Sequence, residues 1–270
     1  MTTLETTRAP QAVSVAETPA QRGIPMTRIA STELRKMFDT RSGFWLMAGI
    51  AIAAVLATGA VVLFASDANL TYSSFAAAIG VPMTVILPIV AILSVTSEWS
   101  QRSGLTTFTI VPNRGRVIAA KAAVSVAVGA VSILLAAGIG AIGNLVGTAI
   151  AGVDPVWDLS VADLANIVLA NVLGLLVGFM LGVLIRGSAG AIVGYFVYSF
   201  VLPTLSALLA SSQHWFHDLQ PWVDFNFAQS ALYNGSMTAH QWTHLAVTGV
   251  GWLVIPTALG VWLVMRSEVK

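Results

Sequence analysis

Four histidines are the residues best suited by type and spacing to chemistry. His214 and His217 lie three apart and His240 and His244 four apart, so each pair shares a face if its segment is helical. Imidazole pairs hold zinc or copper when they converge, and nothing in the spacing makes these two pairs converge, so interfacial histidines are the plainer reading. The chain has no cysteine, which removes disulfides, thiolate metal sites and a cysteine nucleophile. Gly138-Ile139-Gly140-Ala141-Ile142-Gly143 matches a dinucleotide-binding pattern, but it sits in an apolar run without the strand and turn such a site needs. No G-x-x-x-x-G-K-[ST] phosphate loop occurs, and no residue stands out as catalytic.

The elements that must position these residues follow from composition. Of 270 residues, 56% are apolar and 9% charged, with a mean hydropathy of +0.82. Soluble domains are about a quarter charged, so a soluble enzyme, a nucleic-acid binder and a secreted disulfide scaffold are all excluded. Apolar runs at 44–65, 74–96, 117–151, 164–185, 188–210 and 244–265 are each long enough to cross a hydrocarbon core of roughly 30 Å. The alternation of a membrane barrel is absent, so the fold class is an all-α polytopic membrane protein with six transmembrane helices. The third run is too long for one upright span and must tilt or extend beyond the bilayer.

Charge orients the spans. All 13 Lys and Arg fall before the first run, in the second connection or, for Lys121, the opening turns of the run that follows it, in the fourth connection, or after the last run. The other connections, 66–73, 152–163 and 211–243, hold none and carry six aspartates. Positive charge stays inside, so both termini are expected in the cytoplasm and the protein in the plasma membrane. Residues 1–26 lack a sustained apolar core and read as a disordered cytoplasmic N-terminus. Residues 27–43 read as an amphipathic interfacial helix, with Ala30, Leu34, Met37 and Phe38 recurring among charged residues, or as a plain extension of the first span. Residues 266–270 form a cytoplasmic tail.

Ion-driven carriers need ionisable groups inside the bilayer, and here every such group falls at or beyond a span end. Asn144, Asn166 and Asn171 are the polar residues within spans and read as interhelical hydrogen-bonding groups, with substrate contact the alternative. Gly174, Gly178 and Gly182, and Gly190 and Gly194, have the four-residue spacing of closely packed helices. The 211–243 connection contains Trp215, Phe216, Trp222, Phe225, Phe227 and Tyr233, too aromatic for a solvated loop, and is expected to fold back onto the outer membrane face as a re-entrant segment.

The informative segment is the inner connection at 97–116. Leu105, Phe108 and Pro112 form an apolar stripe between Arg102 and the pair Arg114 and Arg116, a pattern suited either to docking in a partner's groove or to anchoring at the interface. Glu98, Arg102, Thr107, Phe108, Pro112, Arg114, Arg116, Val117, Ala120 and Lys121 together resemble the signature of ABC-2 type transporter permeases, in particular an actinobacterial drug-efflux-like branch. The entry helix with Glu33, Leu34, Arg35 and Lys36, followed by Thr40-Arg41-Ser42, is similar to that family's start, and the likeness covers about residues 28–268.

The resemblance implies a non-enzymatic permease subunit that binds no cofactor itself. Two separate ATP-binding subunits would hold ATP and Mg, and a second permease copy, identical or paralogous, would complete the membrane dimer among membrane lipids, with no nucleic acid involved. It places Glu33, Arg35, Lys36, Phe38, Glu98, Arg102, Thr107, Phe108, Pro112, Arg114 and Arg116 on the ATPase-coupling surface. It sets Met83, Asn144, Tyr195, Tyr198 and Phe200 along the substrate path, with Pro82 and Pro88 able to bend the second span. The implied cargo is an amphipathic or apolar compound, exported. A metal-related or sulfur species handled by His214, His217, His240 and His244 is the alternative within transport, and a membrane enzyme or non-transporting scaffold the alternative outside it. Orientation has a direct check in this cysteine-free chain: an impermeant thiol reagent applied to intact cells is expected to label Ser212→Cys and spare Thr106→Cys, and the reverse pattern overturns the orientation.

Overall fold

Six helices long and apolar enough to cross a bilayer dominate the structure, a computed structural model that describes residues 24–39, 41–100 and 114–266. The side chains at 42, 98–100 and 114 are also outside the description. The protein is an all-α polytopic membrane protein. Helix α1 spans Met26–Asp39, α2 Arg41–Phe64, α3 Tyr72–Ser100, α4 Arg114–Ala151 and α5 Val161–Ile185. The fifth span is α6 (Ser188–Phe196), a π turn (Val197–Val201) and α7 (Leu202–Ser212). Short helices α8 (His214–Val223) and α9 (Phe225–Ser230) and a 3-10 turn (Ala231–Tyr233) lead to the sixth span, built from α10 (Ala239–Gly249), a π turn (Val250–Val254) and α11 (Ile255–Arg266). The expected disordered stretch lies almost wholly outside the described residues, as do Arg102, Thr107, Phe108, Pro112 and most of the tail.

Helix α3 is the central post, packed on α2, α4, α5 and α6. Its approach to α5 is set by small residues. A Cβ added at Gly178 would lie 2.6 Å from the Pro88 carbonyl oxygen and 2.8 Å from its Cα. Gly182 meets the backbone of Ile92 in the same way, and Gly143 on α4 sits against Thr58 and Phe75. Bilayer helices gain little from hydrophobic transfer, so such backbone contact supplies the attraction between them. Gly190 instead meets the Ile185 side chain, and Gly194 those of Ile185 and Leu181.

The acidic end is tied by a polar zipper. Asp158 accepts hydrogen bonds from the Ser73 backbone N–H at 2.7 Å and from Ser73 Oγ at 2.5 Å. The Val156 carbonyl accepts from the Tyr72 N–H and from Asn144 Nδ2, both at 3.0 Å. The Val156 carbonyl therefore ties the connection after α4 both back to Asn144 on α4 and to the start of α3.

The two π turns share one cause. Proline has no N–H and its ring crowds the carbonyl four residues earlier. Pro203 and Pro256 each follow a residue whose N–H reaches back five places, Leu202 to Val197 and Ile255 to Val250. Widening the turn in this way relieves the crowding.

Helix α1 turns a different face to the protein than its apolar stripe suggests. Ile29 and Glu33 are buried, while Leu34 and Phe38 are 43% and 49% exposed. Gly178→Val is expected to lower stability by about 1–3 kcal/mol through overpacking against Pro88, read as the detergent-solubilised melting temperature. Gly138→Ala, where nothing lies within 4 Å, is expected to be neutral or stabilising.

Candidate functional site

Two regions gather the groups able to act. The first is an ionic brace at the basic end. Lys121 lies inside the third span, Gly115–Ala151, and is 4% exposed, which corrects the expectation that every ionisable residue falls at or beyond a span end. Burying an ammonium alone is prohibitive, so its partners decide the matter. Lys121 Nζ donates to Glu33 Oε2 at 2.5 Å and to the Ser94 carbonyl at 3.0 Å. Lys36 Nζ donates to Glu33 Oε1 at 2.7 Å, so both carboxylate oxygens are engaged. Arg116 Nη2 donates to the Ile24 carbonyl at 2.8 Å, giving α1 a second tie to α4. Burial pushes the Glu33 carboxyl up, but the charges and hydrogen bonds of Lys121 and Lys36 outweigh it and hold the group below its ordinary value.

Of the residues expected on a coupling surface, Glu33 therefore faces inward and positions its neighbours. Arg35 and Phe38 are exposed beside it. Glu98 lies in the last turn of α3 and Arg114 opens α4, so the undescribed connection starts and ends at this brace.

The second region is a cavity of about 180 Å³ between α3, α5, the fifth span and the α9 segment. Thr84 is twelve residues into α3 and Asn171 ten into α5, which at 1.5 Å per residue puts the cavity roughly 15–18 Å from the acidic end, near mid-bilayer. Of the residues expected along a substrate path, Tyr195, Tyr198 and Phe200 line this cavity, whereas Met83 is packed in the core one residue away from Thr84 and Asn144 belongs to the zipper. Tyr195 Oη donates to the Thr84 carbonyl at 2.5 Å, and Gln229 Nε2 to the Ala170 carbonyl at 2.7 Å. Among the described residues, no charged side chain lines this cavity.

Two buried polar atoms have no partner here, Tyr198 Oη and Asn171 Oδ1. Asn171 spends its Nδ2 on the Ile167 carbonyl of its own helix at 2.9 Å, so it does not bridge helices as expected. Asn166 does reach across, donating to the Gly235 carbonyl at 3.1 Å. Sequence reasoning missed Lys121 as a buried group, and it missed Asn226 and Gln229, whose polar faces were hidden among the aromatics of the same segment.

The histidines stay in their pairs. The rings of His214 and His217 stack at 6.4 Å beside Asp218, and His240 and His244 lie 5.8 Å apart, His244 packing on Trp222. Among the described residues no group of three His, Asp or Glu is arranged to hold a metal ion. Compared with protein-family models and with curated proteins, the chain matches none.

The brace carries a pH signature. A carboxyl held below its ordinary 4.5 in the folded state contributes stability above that pH and loses it as the pH falls through the folded value. Removing one partner of a buried pair costs about 3–5 kcal/mol, so Glu33→Gln is expected to melt well below wild type at pH 7. The gap is expected to narrow below about pH 4.5, as the wild-type carboxyl itself protonates. A gap independent of pH rejects the pairing.

Proposed function

We propose that the chain is the membrane-spanning subunit of an ATP-driven transporter of the ABC-2 type, exporting an amphipathic or apolar compound across the plasma membrane. Both termini lie in the cytoplasm, and a second copy or a relative completes the membrane dimer. Two separate subunits bind ATP and Mg and supply the energy.

The observation that supports this reading best is the buried Glu33–Lys121 pair. It fastens the interfacial helix α1 to the span that follows the basic connection 97–116, with the end of α3 joined through the Ser94 carbonyl. An ATPase seated against Arg35, Phe38 and that connection would move three elements as one body. The resemblance in Glu98, Arg102, Pro112, Arg114 and Lys121 points the same way. A mid-bilayer cavity with a neutral polar lining supplies a place for cargo.

The test is reconstitution with a candidate ATPase. Arg35→Glu with Phe38→Asp is expected to abolish a stoichiometric complex. Glu33→Gln with Lys121→Met, which leaves neither charge buried alone, is expected to keep the complex and lose transport about ten-fold, the effect of roughly 1.4 kcal/mol of lost coupling. Retention of the complex in the double variant, or sustained pumping by this chain without an ATP-hydrolysing companion, overturns the reading.

A further inference from the structure

Beside the mid-bilayer cavity lies a second one of about 310 Å³, nearer the acidic end and mostly apolar. It is a groove open at the protein surface: Leu202, Leu205, Leu209 and Phe216 line it, Leu205 being 55% exposed, with Trp252 at one wall. The two cavities share two lining residues, Tyr198 and Asn226.

Tyr198 is the partition. It belongs to the π turn of the fifth span, and its ring lies 6.0 Å from that of Trp252 in the π turn of the sixth. Trp252 is itself held, donating from Nε1 to the Val223 carbonyl at 2.7 Å. Tyr198 has no such anchor, because its hydroxyl is buried without a partner. An unpaired buried hydroxyl is unfavourable, and this one rises from a π turn rather than a regular α-helical turn.

Asn226 supplies recognition. Its amide makes no hydrogen bond to another described residue, and it lines both cavities at their junction. An amide offers donors and an acceptor but no charge. Asp224, the one charged side chain among the described residues lining either cavity, is engaged as the cap of α9, accepting from the Phe227 N–H at 3.0 Å. An anionic head is therefore disfavoured, and a purely apolar molecule would leave the polar chamber unsatisfied.

We propose that the paired cavities form one site within a single protomer for a neutral amphiphile bearing a hydroxyl or amide head. The head sits against Asn226 in the polar chamber, the tail lies among Leu202, Leu205 and Trp252, and Tyr198 is the partition between them. The proposal takes its purpose from the transporter reading, but its chemistry is independent of any ATPase.

The test uses the full chain in phosphatidylcholine vesicles and a dodecanol analogue with a diazirine on its tail. After photolysis, adducts are expected to concentrate between Leu202 and Leu209 and at Trp252, and to be displaced by dodecanol but not by dodecane or by dodecanoate at alkaline pH. Asn226→Leu is expected to weaken labelling roughly five-fold, the worth of one hydrogen bond, at unchanged melting temperature, and Asn226→Gln to restore most of it. Adducts spread over lipid-facing Leu63, Phe64 and Val161 in equal proportion, displacement by dodecane, or indifference to Asn226→Leu overturns the site. Cavity adducts in a chain that forms no ATPase complex would keep the site and reject the transporter; a working complex without them would do the opposite.

Discussion

Two opposite charges withdrawn from water must be satisfied by each other, and the basic end of this protein is organised around that requirement. Lys121 and Glu33 are both nearly sealed from solvent, and they belong to elements 88 residues apart in the chain. Neither charge is tolerable alone, so α1 cannot leave α4 without exposing one of them to an apolar surrounding. The Ser94 carbonyl adds α3 to the same nitrogen. A hydrophobic contact would hold these helices together equally well but would let them slide. An ammonium on α4 hydrogen-bonded to both α1 and α3 fixes their register.

The consequence is a difference in stiffness across the molecule. Helix α4 runs unbroken for 38 residues, about 57 Å, from the brace to the zipper that joins it to the start of α3. Spans five and six are each interrupted by a π turn ahead of a proline, and few of their residues are buried within the protomer. Helix α4 thus gives an uninterrupted connection between the two ends, whereas the two spans with π turns are the less regular and less buried ones. The cavities lie where the stiff and compliant parts meet.

Much of the architecture was legible because hydropathy is a one-body property. A residue's cost in hydrocarbon depends little on its neighbours, so the six runs fall within a few residues of the observed spans, the largest shift being the sixth, which starts at Ala239. Pairings are two-body properties and were not legible. Charge counting assigned Lys121 to the inner connection, because nothing local announces a carboxylate 88 residues earlier. The stripe on α1 showed which residues could be apolar-facing, but Ile29 and Glu33 face the protein because the buried lysine sets the rotation. Asn171 looked able to bridge helices; its amide instead turns back on its own backbone. Pro203 and Pro256 are plain in the sequence, yet their shared meaning rests on Tyr198 and Trp252 meeting across two spans.

Polar groups inside a bilayer protein divide by whether they are paired, and the division separates support from movement. Asn166, Tyr195 and Gln229 each close a hydrogen bond to a backbone carbonyl on another element, and each fixes two elements in register. Hydrocarbon offers no replacement partner, so such bonds resist opening. Tyr198 Oη and Asn171 Oδ1 have the opposite standing: both are buried, unpaired and adjacent to open volume. A conformation that leaves them unsatisfied is raised in energy relative to one that pairs them, by about 1–3 kcal/mol for each group. That is the scale on which a bound head group can shift a balance between two states. Of the five buried polar side-chain atoms without a partner among the described residues, these two share the cavity, while Thr58 Oγ1, Asn144 Oδ1 and Arg186 Nε lie elsewhere.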